Sequence, residues 1–290
     1  MKKVTLNLDD VRRHTIVALA ADDDLGELLV LKGGNALRLV HGIGNRSSLD
    51  LDYSIGKDLA DVEAVRARIE SALGSEFLRI GYNVFDVRMV QKPHIPKELD
   101  TRPTWGGWAV EFKLINSQNY EKYANTPAKL RNYAETLYEH GKSFQIDISK
   151  FEYVDSAQEV DFSGFNLRVY SLAMIVYEKL RALCQQMKDY PFVAHRTPRP
   201  RDFVDICAVL DGHRVEVLDA RSIIAAVFAA KEVPLPWLRR LVDERGFHAM
   251  GWPSVSSQII GTEDFNLYFD RVIAFVEELH ALGVIETPSC

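Results

Sequence analysis

Two segments of the chain alternate between apolar and polar residues, which is the pattern of a β-strand with one buried face. In residues 49–55 every second residue is apolar, and Asp50 and Asp52 fall between the apolar positions. Residues 143–149 repeat the pattern, with Asp147 on the polar side. We expect two strands of one sheet; if they are neighbours, the three carboxylates converge on its polar face.

The spacing of apolar residues predicts the remaining elements. In the first half of the chain it predicts helices over 8–21, 58–74 and 119–139, a short helix capped by Asn35, and strands near 79–90 and 108–115. Residues 26–32 fit a short strand or a helix end, and 92–107, with three prolines, fit a long loop. From about residue 170 the period is helical, and it predicts helices over 171–188, 200–210, 217–230, 235–245 and 263–282. The fold class that follows is α/β (α+β), with a mixed-sheet domain over 1–165 and a helical domain over 166–290.

The composition narrows the classes of function. The chain has 290 residues, 47% of them hydrophobic, so a substantial core can form. No run of ~18 uncharged apolar residues occurs, and acids come too early for a secretory signal, so we expect a soluble, cytoplasmic protein with no membrane partner. Its three cysteines form no CxxC pair, which favours reduced thiols. Because the formal net charge is -6, binding of RNA would need a local basic patch.

The sequence KGG at residues 32–34 comes shortly before the two aspartates. Gly33 and Gly34 allow backbone N–H groups to approach a phosphate, and a helix that starts there adds its positive end. Asp50 and Asp52 share one strand face, where they repel each other unless a cation lies between them. A hard ion such as Mg²⁺ suits this pair. Each feature alone would indicate only a tight turn or a solvated strand face.

Lys179 lies within an apolar stripe of the helix predicted over 171–188. A lysine there must either reach water with its amine or pair with an anion, which could be a nucleotide phosphate or a buried carboxylate. Glu178 and Arg181 are expected to fall to the side of this stripe. The helix therefore offers one lysine to the interior.

Three arginines, Arg196, Arg199 and Arg201, lie around the start of the next predicted helix. They could grip phosphate of a nucleotide or of RNA, or they could simply be solvated. Asp202 and Asp205 lie one helical turn apart on the same face. Asp202 could serve the site or only complement the helix dipole in the first turn.

Together these features resemble the AbiEii/AbiGii toxin family of nucleotidyltransferases. The first motif of that family is similar to KGG(S/T)AL, then a spacer, then RxSxDxD and an aromatic residue. The matching residues are Lys32-Gly33-Gly34-Asn35-Ala36-Leu37, followed by Arg46, Ser48, Asp50, Asp52 and Tyr53. Asn35 departs from the serine or threonine of the family, and Leu49 stands where an acid is frequent.

Three later motifs match in the order of the family. They are a third acidic strand position at Asp147, an EKLRAL-like helix at 178–183 that carries the essential lysine of the family onto Lys179, and an RDxxD motif at Arg201, Asp202 and Asp205. With the first motif, these matches cover about two thirds of the chain. Several weak motifs in a fixed order are more specific than any one of them.

The resemblance implies a polymerase-β-like nucleotidyltransferase core, an NTP with Mg²⁺, a cognate antitoxin protein and, in some members, the 3′ end of tRNA as acceptor. It also implies roles for the matching residues. The catalytic residues would be Asp50, Asp52, Lys179 and Asp202. The metal ligands would be Asp50, Asp52 and Asp147, and the NTP contacts would be Gly33, Gly34, Asn35, Arg46, Ser48 and Lys179.

We therefore expect a toxin-like enzyme of the nucleotidyltransferase class (EC 2.7.7 type) that transfers a nucleoside monophosphate from an NTP to RNA, such as the tRNA 3′ end. Two alternatives stay open. One is a protein with a disabled site that only binds a nucleotide or an antitoxin, and Asn35 leaves room for it. The other is an enzyme that attaches the nucleotide to a protein hydroxyl. Pyrophosphate release distinguishes an enzyme from the first alternative, which would release none. The identity of the labelled product, RNA or protein, distinguishes transfer to RNA from the second alternative.

Overall fold

The structure is a computed structural model that describes residues 6–44, 50–93, 105–136, 141–193, 195–257 and 264–285. Within these ranges, the N-terminal part combines six α-helices with seven strands. The helices are α1 (Leu8–Ala20), α2 (Asp23–Leu28), α3 (Gly33–Leu39), α4 (Val62–Arg79), α5 (Ser117–Tyr123) and α6 (Pro127–Asn132). The strands are β1 (Val30–Lys32), β2 (Leu51–Ser54), β3 (Tyr82–Lys92), β4 (Gly107–Asn116), β5 (Phe144–Ser149), β6 (Gln158–Phe162) and β7 (Phe165–Val169).

The described residues after β7 are helical or irregular. The α-helices are α7 (Leu172–Cys184), α8 (Pro200–Asp219), α9 (Ile224–Ala229), α10 (Arg245–Ala249), α11 (Pro253–Ser256) and α12 (Phe265–Ala281). Two 3₁₀ helices span Arg221–Ile223 and Leu235–Glu244. None of these helices, nor any other in the described ranges, is both long and apolar enough to cross a membrane.

The strands form one mixed sheet in the order β3-β4-β5-β2-β1-β7-β6. β2 is parallel to β5 and β1 is parallel to β7, whereas the other neighbours are antiparallel. The two strands predicted from alternation are therefore central neighbours. Their apolar faces are buried, and α4 covers this side, since the Phe77 ring lies 6.0 Å from that of Phe112, which lies 5.4 Å from Phe144.

The predicted fold class, a mixed α/β core followed by helices, is confirmed. Because the sheet continues to Val169, a boundary at residue 165 would cut β7 from its hairpin partner β6. We therefore propose the division into two domains just after β7. Helix α7 packs against α8 and α9 in the helical part.

Several predicted elements differ from the structure. The hairpin of β6 and β7 was not predicted. The helix predicted over 119–139 is two short helices. Pro127 has no N–H to donate to the preceding helical turn, so it cannot lie inside a continuous helix and instead starts α6. The helix predicted over 200–210 runs to Asp219 with a non-helical residue at His213, and the segment 235–245 is mostly 3₁₀. Residues 94–104 of the predicted loop lie outside the described ranges.

Candidate active site

The turn at Gly33 lies directly against the carboxylate of Asp52. β1 ends at Lys32, which pairs with Asp52 across antiparallel strands, and the next residue begins α3. Gly33 has a φ of +73°, and a Cβ added there would be 2.6 Å from Asp52 Oδ2. A side chain at residue 33 would therefore be strained in its backbone and would collide with the aspartate. Glycine lets the loop backbone and the carboxylate share one edge of the site.

Asp52 and Asp147 are cross-strand partners on the parallel strands β2 and β5. Burial raises the pKa of Asp52 to about 6; the charge of Lys32 opposes this rise, and the charges of Asp147 and Glu178 add to it. Burial and the charge of Asp147 also raise the pKa of Asp50. The charge of Asp147 thus raises the pKa of both other predicted carboxylates, although Asp50 is not among the residues that line the cavities of the site. Repulsion of this kind favours a bound cation.

The donor set fits a hard divalent ion, because carboxylate oxygens are the ligands that Mg²⁺ prefers and mutual repulsion is relieved by a cation. The three aspartate side chains do not converge on one point in this structure. Within the described ranges, no three His, Cys, Asp or Glu side chains lie close enough to hold a metal ion. Gln145 Nε2 donates to both oxygens of Asp147, at 2.9 and 2.8 Å, and Lys92 Nζ is 3.5 Å from Asp147 Oδ1. Asp147 would have to leave these partners to act as a third ligand.

Lys179 is buried and bound by two carboxylates. Its Nζ donates to Asp202 Oδ1 at 2.9 Å and to Asp205 Oδ2 at 2.8 Å. Burial opposes the charge of Lys179, but the two aspartates outweigh it and raise the pKa of the amine. Arg199 also pairs with Asp202, and the two cations hold the pKa of Asp202 well below its ordinary value despite burial. Of the alternatives open from sequence, the structure shows a buried carboxylate partner for Lys179.

A second cation, Lys32, lies beside the glycine turn within a buried charge network. Its Nζ donates to Ser149 Oγ at 3.0 Å and lies 3.5 Å from Glu152 Oε1 and 3.7 Å from Glu178 Oε1. Burial opposes its charge, but Glu152 and Glu178 outweigh this effect and raise the pKa of Lys32. The motif places Lys32 next to Gly33, yet its spacing gives no sign of these partners.

Glu152 is the centre of that network. Arg181 Nη1 donates to Glu152 Oε2 at 2.7 Å, and Lys231 Nζ lies 3.7 Å from Glu152 Oε1. These cations and Lys32 outweigh burial and hold the pKa of Glu152 well below its ordinary value. Burial in turn lowers the pKa of Lys231 to about 8. Sequence reasoning missed Glu152 and Lys231 because the network draws its members from four separate segments.

The prediction that Glu178 and Arg181 both fall to the side of the apolar stripe on α7 is wrong for Arg181, which is buried, whereas Glu178 is partly exposed. Arg181 is only 2% exposed, and its Nη2 is 3.4 Å from Glu178 Oε1. Glu178 lines the cavities of the site. The reason is that α7 is buried on almost every side, so it has no solvent face for a charged residue. A charged pair inside so apolar a helix was a signal that sequence analysis could have used.

The remaining predicted NTP contacts differ in their positions. Gly34 and Gly33 both line the first of the two cavities of the site, which are described below. Asn35 is fully buried and does not line it; its Nδ2 donates to the Asp50 carbonyl oxygen at 2.6 Å, which ties α3 to the segment before β2. Arg46 and Ser48 lie outside the described ranges. A direct contact of the Asn35 side chain with phosphate therefore stays a prediction.

The three arginines around the start of α8 differ in their surroundings. Arg196 binds the Gln186 carbonyl and Glu244, and its Cζ lies 3.9 Å from the centre of the Phe247 ring. Arg199 and Arg201 line the first of the two cavities of the site. Sequence analysis weighed phosphate contact against simple solvation; Arg196 fits neither, because protein groups hold it, whereas the other two arginines border the cavity where a ligand could bind.

Two adjoining cavities meet at Asp52. The first, of about 650 Å³, extends from the glycine turn past Lys179 to the loop around Arg199. The second, of about 360 Å³, contains Asp147 and the charge network. The cavities share Lys32, Asp52, Glu178 and Arg199. A phosphate-rich ligand in the first cavity and a second reactant in the second would therefore meet at the carboxylates.

Three solved structures show similarity to this chain. A proposed nucleotidyltransferase from H. pylori has a TM-score of 0.51 and 18% identity, and the match covers 99% of this chain and 100% of that chain. JHP933 from Helicobacter pylori has a TM-score of 0.46 and 19% identity, and the match covers 95% of this chain and 91% of that chain. ANT(2″)-Ia, in complex with adenylyl-2″-tobramycin, has a TM-score of 0.34 and 15% identity, and the match covers 77% of this chain and 98% of that chain. The fold comparison rests on the first of these, which has the highest TM-score of the three.

The fold is thus that of a nucleotidyltransferase. A family model described as "Nucleotidyl transferase AbiEii toxin, Type IV TA system" matches residues 16–278. Because this match spans most of the chain, the protein belongs to the AbiEii family, and it is an enzyme of the nucleotidyltransferase class. The resemblance seen in the sequence motifs is confirmed. A comparison with curated proteins finds no match.

Proposed function

We propose that the protein transfers a nucleoside monophosphate from an NTP, with Mg²⁺, to an RNA acceptor such as the tRNA 3′ end. The observation that carries this proposal is the contact of Gly33 with Asp52 at the junction of the two cavities, with Lys179 in the wall of the first. Phosphoryl transfer needs a loop that binds phosphate, neighbouring carboxylates that can hold a metal ion, and a cation that neutralises phosphate charge.

Asp50 and Asp52 would hold the metal, with Asp147 as third ligand or as base. When bound, Mg²⁺ neutralises charge on the triphosphate oxygens. We place the acceptor hydroxyl in the second cavity because Asp147 lies there. The oxygen of the acceptor hydroxyl attacks the α-phosphorus. The bond from that phosphorus to the oxygen that bridges it to the β-phosphorus breaks, and pyrophosphate leaves. Asp147, acting as base, takes the hydroxyl proton.

The triphosphate would lie in the first cavity. Backbone N–H groups of Gly33 and Gly34 would approach phosphate oxygens, and Arg46 and Ser48 of the same motif would add contacts. Lys179 would exchange part of its contact with Asp202 and Asp205 for phosphate, since all three anions compete for one amine. In this account Asp202 orients Lys179, and the family assignment implies a cognate antitoxin. NTP and RNA as substrates favour a cytoplasmic location.

The proposal is tested by incubating the protein with Mg²⁺, total cellular RNA and each α-labelled NTP in turn, and resolving RNA and protein on denaturing gels. A labelled band of tRNA size, lost in Asp52→Asn, supports RNA as the acceptor. Label on protein supports transfer to a protein hydroxyl instead. Binding of NTP without any pyrophosphate release would contradict catalysis and favour a binding protein with a disabled site.

A further inference from the structure

The first cavity has a charged end and an uncharged end. Its charged end contains Lys32, Asp52, Glu178 and Lys179 beside the two glycines. The other end is lined by uncharged residues of two segments, with Arg199 and Arg201 flanking Pro200 on one of them; the uncharged residues are Thr197, Pro198, Pro200, Gly251, Ser254 and Val255. An elongated ligand with one anionic and one neutral end would be held in a single orientation by such a cavity.

A series of contacts separates the two ends. Lys179 binds Asp202 at 2.9 Å, and Asp202 binds Arg199. Arg199 lies between Pro198 and Pro200 in the loop, and a Cβ added to Gly251 would be 2.9 Å from both prolines. The uncharged end therefore lies beyond Arg199 when the cavity is followed from the glycine turn. A triphosphate at the turn would place the rest of an NTP toward Gly251.

The uncharged end is preformed. The Arg199 backbone N–H donates to Nδ1 of the fully buried His248 at 3.1 Å, which fixes the proline loop to α10. Gly251 has no room for a side chain against Pro198 and Pro200. The Ser254 hydroxyl donates to the Gly251 carbonyl oxygen at 2.8 Å and keeps its lone pairs for a ligand. A surface held in place before binding orders little on binding and so favours selection.

We propose that Pro198, Gly251 and Ser254 form the nucleobase subsite of the NTP, which we name the base wall, and that it determines which nucleotide the enzyme prefers. This inference rests on the proposed function. A nucleobase is a flat, neutral group with hydrogen-bonding edges, which suits a small apolar wall with one hydroxyl. The triphosphate, in contrast, belongs with Lys179 at the charged end.

The test compares Ser254→Trp with Ser257→Trp. Both serines are exposed and lie on the same segment, but only Ser254 lines the cavity. Equilibrium binding of the four NTPs and of inorganic tripolyphosphate, which lacks a base, is measured with Mg²⁺. We expect Ser254→Trp to weaken binding of the preferred NTP about tenfold or more, while tripolyphosphate binding changes by less than about twofold. Ser257→Trp should change neither. Thr197→Trp, at the exposed cavity residue on the facing loop, should repeat the Ser254→Trp result.

The outcomes separate this inference from the proposed function. Unchanged NTP binding in both cavity variants, with wild-type transfer intact, would overturn the base wall alone. Equal loss of NTP and tripolyphosphate binding would also overturn it, because the effect would then lie at the phosphate end. Wild-type protein that binds NTP selectively but transfers nothing would overturn the proposed transfer while the base wall stays testable by binding. A wild-type protein that binds neither ligand would overturn both.

Discussion

Asp52 Oδ2 lies where a side chain at residue 33 would have to go, only 2.6 Å from the Cβ position of Gly33. The contact joins the two halves of the first sequence motif, which are separated by the spacer between the glycines and the aspartates. It explains why the phosphate loop and the carboxylates must be considered together. A change on either side should displace the other.

Gly33→Ala tests this relationship, with Gly42→Ala as its control. Gly42 has a similar φ of +67° but open space around its Cβ position, so both variants carry a comparable backbone strain of about 1–2 kcal/mol. Only Gly33→Ala also displaces Asp52. We expect it to lower kcat/KM for nucleotide transfer by about 100-fold, because small misplacements of catalytic groups have effects of that size. Equal activity losses in the two variants would mean that strain alone is responsible.

The raised pKa of Asp52 predicts a pH dependence of stability in metal-free protein. The pKa is about 6 when folded and 3.8 in the unfolded reference, so the folded chain binds more protons between these values. The free energy of unfolding should therefore fall as the pH rises through this window, by about 3 kcal/mol at most.

Asp52→Asn should remove this slope and be more stable than wild type at about pH 8 but not at about pH 4. Denaturant unfolding with a chelator present measures both variants, and Glu121→Gln, at an exposed carboxylate, serves as control. A wild-type slope that persists in Asp52→Asn would show that another group causes it.

Asp202 and Asp205 should differ in their effect on catalysis, although both bind Lys179. Asp202 also binds Arg199 and lines the first cavity, whereas Asp205 is not among the lining residues. We expect Asp202→Asn to lower kcat/KM by about 10- to 100-fold and Asp205→Asn by clearly less. Steady-state transfer assays on the two isosteric variants give the comparison. The reverse order would contradict the role assigned to Asp202.

The buried charge network predicts a stability difference between two carboxylates. Glu152→Gln removes the anion shared by three buried cations, Lys32, Arg181 and Lys231, and should lower the free energy of unfolding by about 3–5 kcal/mol. Asp189→Asn makes the same chemical change in an exposed pair with Arg240 and should cost less than about 1 kcal/mol. Urea unfolding of both variants measures the difference, and similar values would mean that the network contributes little.

Local patterns in the sequence predicted the centre of the fold well. Alternation identified β2 and β5, whereas their pairing, which the sequence analysis treated as a condition, comes from the structure. The hairpin of β6 and β7 was missed, although Ser163-Gly164 between its strands is a turn signal; both residues have positive φ, at 57° and 86°. The sequence therefore held more information about this edge of the sheet than periodicity alone extracted.

The site was less predictable because its partners are distant in sequence. The helical stripe singled out Lys179 but left open whether its amine reaches water or pairs with an anion, and Asp202 and Asp205 as its direct partners depend on how α7 packs on α8. Glu152 and Lys231 carry no local signal, since each is an ordinary charged residue until the fold buries it. Burial and pairing of this kind arise from tertiary structure, which neither spacing nor composition encodes.

The most direct test of the central claim measures labelled nucleotide incorporated and pyrophosphate released in the same reaction, for wild type, Asp52→Asn and Glu121→Gln. The account predicts one pyrophosphate for each nucleotide transferred by wild type and Glu121→Gln. It predicts loss of both products in Asp52→Asn, with the variant still folded. Full transfer by folded Asp52→Asn would contradict the assignment of the active site to the carboxylates beside Gly33.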